Sequence, residues 1–192
     1  IRRAVRARLA GVDEAHWAAS SAAVCERVLA MPEFGRAGMV MAYSPLPGEV
    51  DLLAVVGACG ERGKRVALPR VDWNSGSMVA AEIPAGGLDG LASGRFGVLE
   101  PGVDARVIPA AEIGLVLVPG VAFDAAGGRL GRGKGFYDRF LAGLSAGNGT
   151  GATKVGIAIE EQIVDRVPMD KWDIRLDAVI TDRRLIRTVR DD

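Results

Sequence analysis

A glycine-rich segment with interleaved cations is the part of this sequence best suited to chemistry. Residues 127–139 read GGRLGRGKGFYDR, so five glycines alternate with Arg and Lys ahead of an aromatic pair and a carboxylate. Glycines let backbone N–H groups approach an anion closely, and the cations add charge and directional donors. The segment predicts a phosphate site. The less specific alternative is a mobile surface loop that happens to be rich in Gly and Arg.

Two known phosphate-binding patterns fit this segment incompletely. Residues 128–134 match the start of a Walker A loop, but Gly135 stands where Ser or Thr would ligate Mg²⁺. The Rossmann G-x-G-x-x-G is absent, because the last three glycines of the segment are evenly spaced. A metal ligand must then come from elsewhere, and Asp138 is the nearest carboxylate.

The segment lies between a predicted strand and a predicted helix. The apolar run over residues 113–118 is typical of a central strand, and residues 136–144 have a helical pattern. The N-terminus of that helix would add its dipole to an anion pocket. Strand, glycine loop and helix follow one another in the order that a nucleotide site needs.

The rest of the chain alternates between helical and strand patterns. We expect a basic helix over 1–10, an amphipathic helix over 13–31 capped by Asp13, and a helix over 49–60. The expected strands are 39–43, 65–69, 77–83 at an edge, 155–159 and 178–181, with a loop or short helix over 86–96. This alternation predicts an α/β fold: a three-layer Rossmann-like sandwich with a mainly parallel central sheet flanked by helices.

In open α/β sheets the ligand crevice lies beyond the carboxyl ends of the strands. Residues 43–49, residues 119–124 and the glycine-rich segment all follow predicted strands. We therefore expect these three parts of the chain to line one site.

Composition limits the class of protein. An apolar fraction of 49% over 192 residues suits a single domain spanning 1–192, and 24 basic residues balance 24 acidic ones. No overall field then attracts nucleic acid or a membrane, so we expect neither as a partner, and any anion site must be local. One compact unit is the default at this length, and we expect a monomer. Isolated Cys25 and Cys59, and the lack of a membrane-length apolar run or signal peptide, predict a cytoplasmic protein. The start at Ile1 suggests that a few residues precede it.

Nearly end to end, the sequence resembles the 5-formyltetrahydrofolate cyclo-ligase family, also called 5,10-methenyltetrahydrofolate synthetase. The most specific motifs are VPGVAFD over 118–124 and RLGRGKGFYD over 129–138. Weaker ones are Arg2-x-x-x-Arg6, residues 43–51, 68–70, 94–101, and Trp172-Asp173 before Ile180-Thr181. The resemblance implies ring closure of 5-formyltetrahydrofolate to 5,10-methenyltetrahydrofolate with Mg²⁺ and ATP, through transfer of the γ-phosphoryl group to the formyl oxygen.

The resemblance also implies roles for individual residues. Arg132 and Lys134 would be the catalytic cations, Asp138 and Asp173 would hold Mg²⁺, and Glu49 would accept hydrogen bonds from the pterin ring. The implied nucleotide-binding residues are Arg2, Arg6, Arg129, Leu130, Gly131, Arg132, Gly133, Lys134, Gly135, Phe136 and Tyr137. The implied folate-binding residues are Ser44, Glu49, Arg132, Gly133, Lys134, Gly135 and Phe136.

Each assignment has a plain structural alternative. Asp138 could complement the dipole of its helix, and Asp173 could pair with Arg175 or Lys171. Glu49 could be an ordinary first-turn acid of a helix, and the arginines near the N-terminus could be a solvated face.

Three positions depart from the family pattern: Arg2 replaces the usual Lys, Phe136 the commoner Tyr and Trp172 the commoner His.

Three aromatic residues either line a folate pocket or belong to the core: Trp73, Phe96 and Tyr43. The alternative functions are a phosphotransferase with another small substrate and a non-catalytic binding paralogue.

Overall fold

A seven-stranded, mostly parallel sheet forms the middle layer of the protein. The structure is a computed structural model that describes residues 1–84, 87–88, 91–94, 97–146 and 151–188. Its helices are α1 (Arg2–Leu9), α2 (Glu14–Ala30), α3 (Pro32–Arg36), α4 (Leu53–Glu61) and α5 (Phe136–Ala146). Its strands are β1 (Met39–Met41), β2 (Arg65–Asp72), β3 (Ser77–Glu82), β4 (Ala92–Ser93), β5 (Leu99–Glu100), β6 (Leu115–Val118), β7 (Ala122–Phe123), β8 (Arg129–Leu130), β9 (Thr153–Ile157), β10 (Ala178–Ile180) and β11 (Leu185–Arg187).

The strand order is β11-β10-β9-β6-β1-β2-β3, and only the two edge strands, β3 and β11, pair antiparallel to their neighbours. The predicted α/β sandwich with a mainly parallel sheet is therefore confirmed. From β1 the chain adds β2 and β3 towards one edge of the sheet. It then adds β6, β9, β10 and β11 towards the other edge, so the strand order reverses between β1 and β6. A reversal of this kind opens a crevice at the carboxyl ends of the two strands.

The sheet separates two apolar clusters because successive side chains of a strand point to opposite faces. Val40 and Ala42 belong to the cluster that also contains buried residues of α2, α3 and α4. Met39 and Met41 belong to the other cluster, which contains Leu141 of α5. The protein thus has helices packed on both faces of β1. No helix among the described residues is long and apolar enough to cross a membrane.

The helix expected over 49–60 begins later, at Leu53, which is a correction to the sequence interpretation. A turn precedes it, in which Gly48 has a φ of +80° and the Glu49 carboxylate accepts a hydrogen bond from the Leu46 N–H at 3.0 Å. Asp51 then accepts from the Leu53 N–H at 2.8 Å. Glu49 lies outside the helix, so its interpretation as a first-turn acid is wrong.

Two residues in the first half of the glycine-rich segment form a strand. Residues Arg129 and Leu130 pair antiparallel with β7, and the turn between the two strands is organised by the buried Asp124. One Asp124 carboxylate oxygen accepts from the N–H groups of Ala126 and Gly128, and the other accepts from the Val167 N–H. The glycine loop is thereby shortened to residues 131–135.

Gly156, the penultimate residue of β9, tests how tightly the sheet packs. A Cβ atom there would come within 2.7 Å of the Phe123 ring and 2.8 Å of the Leu176 side chain, both of which are buried. We expect Gly156→Ala to lower the free energy of unfolding by about 1–3 kcal/mol, because overpacking a closed core forces side chains out of their rotamers. Urea denaturation followed by circular dichroism measures this change.

Gly143→Ala is the matched control, since a Cβ there has nothing within 4 Å and the residue lies inside α5. That variant is expected to gain up to about 1 kcal/mol from helix propensity. Equal stability of the two variants would contradict the packing described for β9.

Candidate active site

A cleft of about 920 Å³ opens at the carboxyl ends of β1 and β6. Six parts of the chain line it: the segment after β1, the β2–β3 hairpin, residues 98–100, residues 119–120 after β6, residues 129–138 from β8 to the start of α5, and residues within 168–173. Arg2 closes one side from α1. The predicted site residues that line the cleft are Arg2, Ser44, Glu49, Arg129, Leu130, Gly131, Arg132, Gly133, Lys134, Gly135, Phe136, Tyr137, Asp138 and Asp173. Arg6 is exposed on α1 and does not line the cleft.

The glycine loop is held in place from two sides. Arg2 donates from Nε to the Gly131 carbonyl at 2.9 Å, which ties α1 to the loop. Arg139 donates from Nη2 to the Lys134 carbonyl at 3.1 Å and to the Gly76 carbonyl at 2.6 Å. Arg139 therefore connects the far end of the loop to the tip of the β2–β3 hairpin.

An aromatic contact reinforces that connection. The Phe136 ring lies edge-to-face against Trp73, with centroids 5.3 Å apart, and the Arg139 guanidinium lies 5.4 Å from the centroid of the same ring. Both aromatic residues line the cleft. Tyr43 is buried and donates its hydroxyl to the Val50 carbonyl at 3.0 Å, with one side facing the cleft. Phe96 lies outside the described residues.

An ion pair between a buried arginine and a partly buried carboxylate joins β8 to α5. Arg129, whose side chain is only 4% exposed, donates from Nη2 to Asp138 Oδ1 at 2.5 Å. Asp138 stands in the first turn of α5, so its carboxylate also complements the helix dipole, as the structural alternative anticipates. Its charge is therefore already engaged by a protein cation.

Two polar atoms at this place are buried without a hydrogen-bond partner among the described residues: Arg129 Nε and the Tyr137 hydroxyl. The Arg129 guanidinium lies 5.5 Å from the centroid of the Tyr137 ring. Burial raises the pKa of Tyr137, and the charge of Glu49 adds to the effect, so the phenol stays neutral and can donate. Buried donors without partners are costly, and a ligand oxygen would satisfy them.

Glu49 and Arg132 face each other across the cleft as an ion pair. The Glu49 side chain is 8% exposed, and its Oε1 accepts from Arg132 Nη2 at 2.9 Å and from Nε at 3.1 Å. Its other oxygen holds the turn before α4. The structure thus joins the residue predicted to read the pterin ring to a residue predicted to act on the phosphoryl group.

Asp173 belongs to a small turn at the rim of the cleft. Its carboxylate accepts from the Asp170 N–H at 2.9 Å, and Asp170 accepts from the Trp172 N–H at 2.9 Å. Arg175 donates instead to the Ala126 carbonyl, and Lys171 lies over the Trp172 ring. Both cations named in the surface-pair alternative are thus engaged elsewhere.

The described part of the chain contains no cluster of three or more His, Cys, Asp or Glu side chains that could hold a metal ion. Any metal in the cleft would therefore take only a few of its ligands from these side chains.

Sequence reasoning missed the wall formed by residues 98–100. The Ser44 hydroxyl accepts from the Leu99 N–H at 3.1 Å, which fastens β5 to the segment after β1 and aligns Glu100 with the cleft. The family motif over residues 94–101 includes Glu100, so the sequence did mark this part of the chain. The residue type alone does not indicate a role for Glu100.

Known proteins resemble this chain in sequence and in fold. The chain matches the 5-formyltetrahydrofolate cyclo-ligase family over residues 1–182. It is 33% identical over 180 residues to a probable 5-formyltetrahydrofolate cyclo-ligase of Schizosaccharomyces pombe, covering 88% of this chain and 87% of that protein. It is 32% identical over 157 residues to the 5-formyltetrahydrofolate cyclo-ligase of Escherichia coli, covering 81% and 84%. The NMR structure of Aquifex aeolicus 5,10-methenyltetrahydrofolate synthetase superposes with a TM-score of 0.83 at 31% identity, covering 100% of this chain and 92% of that one.

The ion pair between Arg129 and Asp138 leads to a prediction about stability. Asp138→Asn keeps an oxygen acceptor but removes the charge opposite a guanidinium that is 4% exposed. We expect the free energy of unfolding to fall by about 1–3 kcal/mol without any ligand present. Asp104→Asn, at an exposed position outside the cleft, is the control and should change little. Identical urea curves for all three proteins would show that the pair does not stabilise the fold.

Proposed function

The chain belongs to the 5-formyltetrahydrofolate cyclo-ligase family, and we propose that it converts 5-formyltetrahydrofolate to 5,10-methenyltetrahydrofolate with hydrolysis of ATP to ADP and phosphate. It is a ligase, as its relatives are. The observation that carries the finer proposal is the cleft itself, in which a cationic glycine loop faces the buried carboxylate of Glu49. One side suits a polyphosphate and the other suits a heterocycle with hydrogen-bond donors.

The reaction needs activation because an amide-like formyl oxygen is a poor leaving group. ATP supplies the γ-phosphoryl group to that oxygen, N10 attacks the activated carbon, and phosphate leaves. Phosphoryl transfer is catalysed mainly by positioning and by cations placed on the transferred group. Arg132 and Lys134 are the loop cations proposed for that role.

The chemistry of the loop fits a phosphate group. Gly133 and Gly135 have φ values of +98° and +66°, which glycine adopts without strain and which exposes backbone N–H groups. Arg129 Nε and the Tyr137 hydroxyl add donors that have no partner among the described residues. Arg2 brings a further cation to the same loop. These features support nucleotide binding by the loop and the first turn of α5.

The two carboxylates proposed for Mg²⁺ also fit that ion. Asp138 and Asp173 both line the cleft, and Mg²⁺ is usually held by one or two carboxylates together with phosphate oxygens and water. When bound, the ion would neutralise charge on the phosphates. Asp138 is the more demanding of the two ligands, because it would have to serve Mg²⁺ and Arg129 together.

Glu49 is proposed to select the folate. The amino-pyrimidine edge of a pterin presents adjacent N–H donors, which a buried carboxylate accepts well. In the structure those acceptor positions on Oε1 are taken by Arg132. Folate bound at Glu49 would replace those contacts and leave the Arg132 guanidinium available to the formyl oxygen.

The decisive experiment follows methenyl absorbance after the protein is mixed with 5-formyltetrahydrofolate, ATP and Mg²⁺, in parallel with Lys134→Ala. The Lys134 side chain is exposed, so its loss should not destabilise the fold. We expect an ATP-dependent signal from the parent and a kcat about 100-fold lower in the variant.

Arg3→Ala removes a cation that is also exposed but lies outside the cleft, and it should behave as the parent. ATP binding without any methenyl product from the parent would favour the non-catalytic alternative. Parental kcat in folded Lys134→Ala would remove Lys134 from the site.

Glu49→Gln tests the folate assignment separately. A neutral amide keeps the shape but loses charge-assisted acceptance, which contributes about 1.5–3 kcal/mol. We expect the KM for 5-formyltetrahydrofolate to rise about 10-fold or more, whereas the KM for ATP changes by less than about 2-fold. Steady-state kinetics with each substrate varied in turn distinguish the two. Equal increases in both KM values would indicate a general role in shaping the cleft.

A further inference from the structure

Ring closure releases a proton that some group must accept. N10 carries one hydrogen when it attacks the activated formyl carbon, and it must lose that hydrogen to form the methenyl product. A positioned side-chain base typically accelerates such a step by about 10²–10⁴-fold. The residues proposed above account for phosphate, metal and pterin binding, and none of them is a free base.

The other cleft carboxylates are already engaged in the structure. Glu49 is paired with Arg132, and Asp138 is paired with Arg129. Asp170 and Asp173 accept hydrogen bonds within their own turn. His16, the only histidine of the chain, lies on α2 and outside the cleft, with Nε2 at 3.8 Å from Glu161.

Glu100 is different, because no hydrogen bond or ion pair joins its carboxylate to any other described residue. It lines the cleft at the end of β5, and its neighbour Leu99 is fastened to Ser44. The carboxylate lies against the backbone of Gly94, where an added Cβ would come within 2.6 Å of Glu100 Cδ. Among the described residues, packing against Gly94 therefore sets the position of the Glu100 side chain, and no described cation is bonded to it.

We propose that the Glu100 carboxylate is the general base that removes the N10 proton during ring closure. This inference rests on the proposed function. The N10 lone pair forms the new bond to the formyl carbon, and the N10 proton passes to a Glu100 oxygen. The electrons of the N–H bond then support the N10–C–N5 system as the C–O bond to phosphate breaks. The carboxyl group later returns its proton to solvent, and no oxidant or reductant is involved.

The surroundings of Glu100 suit a base. Burial raises the pKa of the Glu100 carboxyl above its ordinary value, which increases its basicity. On the neighbouring β2, Arg65 is bound by Glu82 and Glu112, and Asp72 accepts from Ser75. Also on β2, Arg70 donates to the carbonyl groups of residues 102, 103 and 105. Tyr43 and Ser44, after β1, are uncharged, and β4 contributes only Ala92 and Ser93.

The test separates the phosphoryl step from the proton step. Glu100→Gln, the parent and the control Glu26→Gln, at an exposed site on α2, are mixed in excess over 5-formyltetrahydrofolate with ATP and Mg²⁺. ADP is measured by rapid quench and the methenyl product by stopped-flow absorbance. We expect Glu100→Gln to form ADP at the parental rate and the methenyl product about 100-fold more slowly.

The pH profile gives a second readout. A base acts when deprotonated, so the parental rate of methenyl formation should fall as pH decreases through the Glu100 pKa. Glu100→Gln should lack that decrease, whereas Glu100→Asp, which retains a carboxylate, should keep it with a lower plateau.

Three results would overturn the inference. They are methenyl formation by Glu100→Gln at the parental rate, an equal loss of ADP and methenyl formation in that variant, or a decrease in its rate at low pH that matches the parent. If Glu100→Gln does not fold, Glu100→Asp provides the test. A rate of methenyl formation in that variant that does not decrease at low pH would also overturn the inference. A parent that makes no methenyl product would instead remove the proposed function, and this inference with it.

Discussion

The ion pair between Arg129 and Asp138 is the interaction on which the site depends most. It joins the end of the β7–β8 hairpin to the first turn of α5, and the whole glycine loop lies between those two points. A short loop with fixed ends has few conformations to lose when it binds, so its donors are positioned in advance. Arg2 and Arg139 then set the loop against α1 and the β2–β3 hairpin.

Charge in the cleft is arranged in pairs that a ligand can rearrange. Arg132 and Glu49 satisfy each other across the opening, where the guanidinium remains about half exposed and the carboxylate is buried. The pair leaves no isolated charge at Glu49, which would be costly because that carboxylate is buried. Glu100 differs from these residues, because it lines the same cleft and its carboxylate has no cation partner among the described residues.

Local patterns predicted the helices and central strands well because their causes are local. Asp13 caps α2 through the His16 N–H as its residue type indicates, and the apolar run around residues 115–118 forms the buried centre of the sheet. The start of α4 was predicted too early, because the turn at Gly48 and the Glu49 contact to Leu46 compete with the helix. The β7–β8 hairpin was missed because Asp124 organises it partly through the distant Val167. The residues of the cleft could be named from motifs, whereas their pairing could not, since each pair joins separate elements.

The bond between Arg2 and Gly131 joins atoms of residues that are 129 positions apart in the chain. During synthesis α1 leaves the ribosome long before the glycine loop has been translated. The pairing of β1 with β6 likewise cannot form until β6 has been translated. The segment with Asp173 emerges later still. Because the cleft is closed by both early and late parts of the chain, a partly translated protein has no complete site. A ligand of this cleft can therefore stabilise only molecules whose translation has passed the last of these segments.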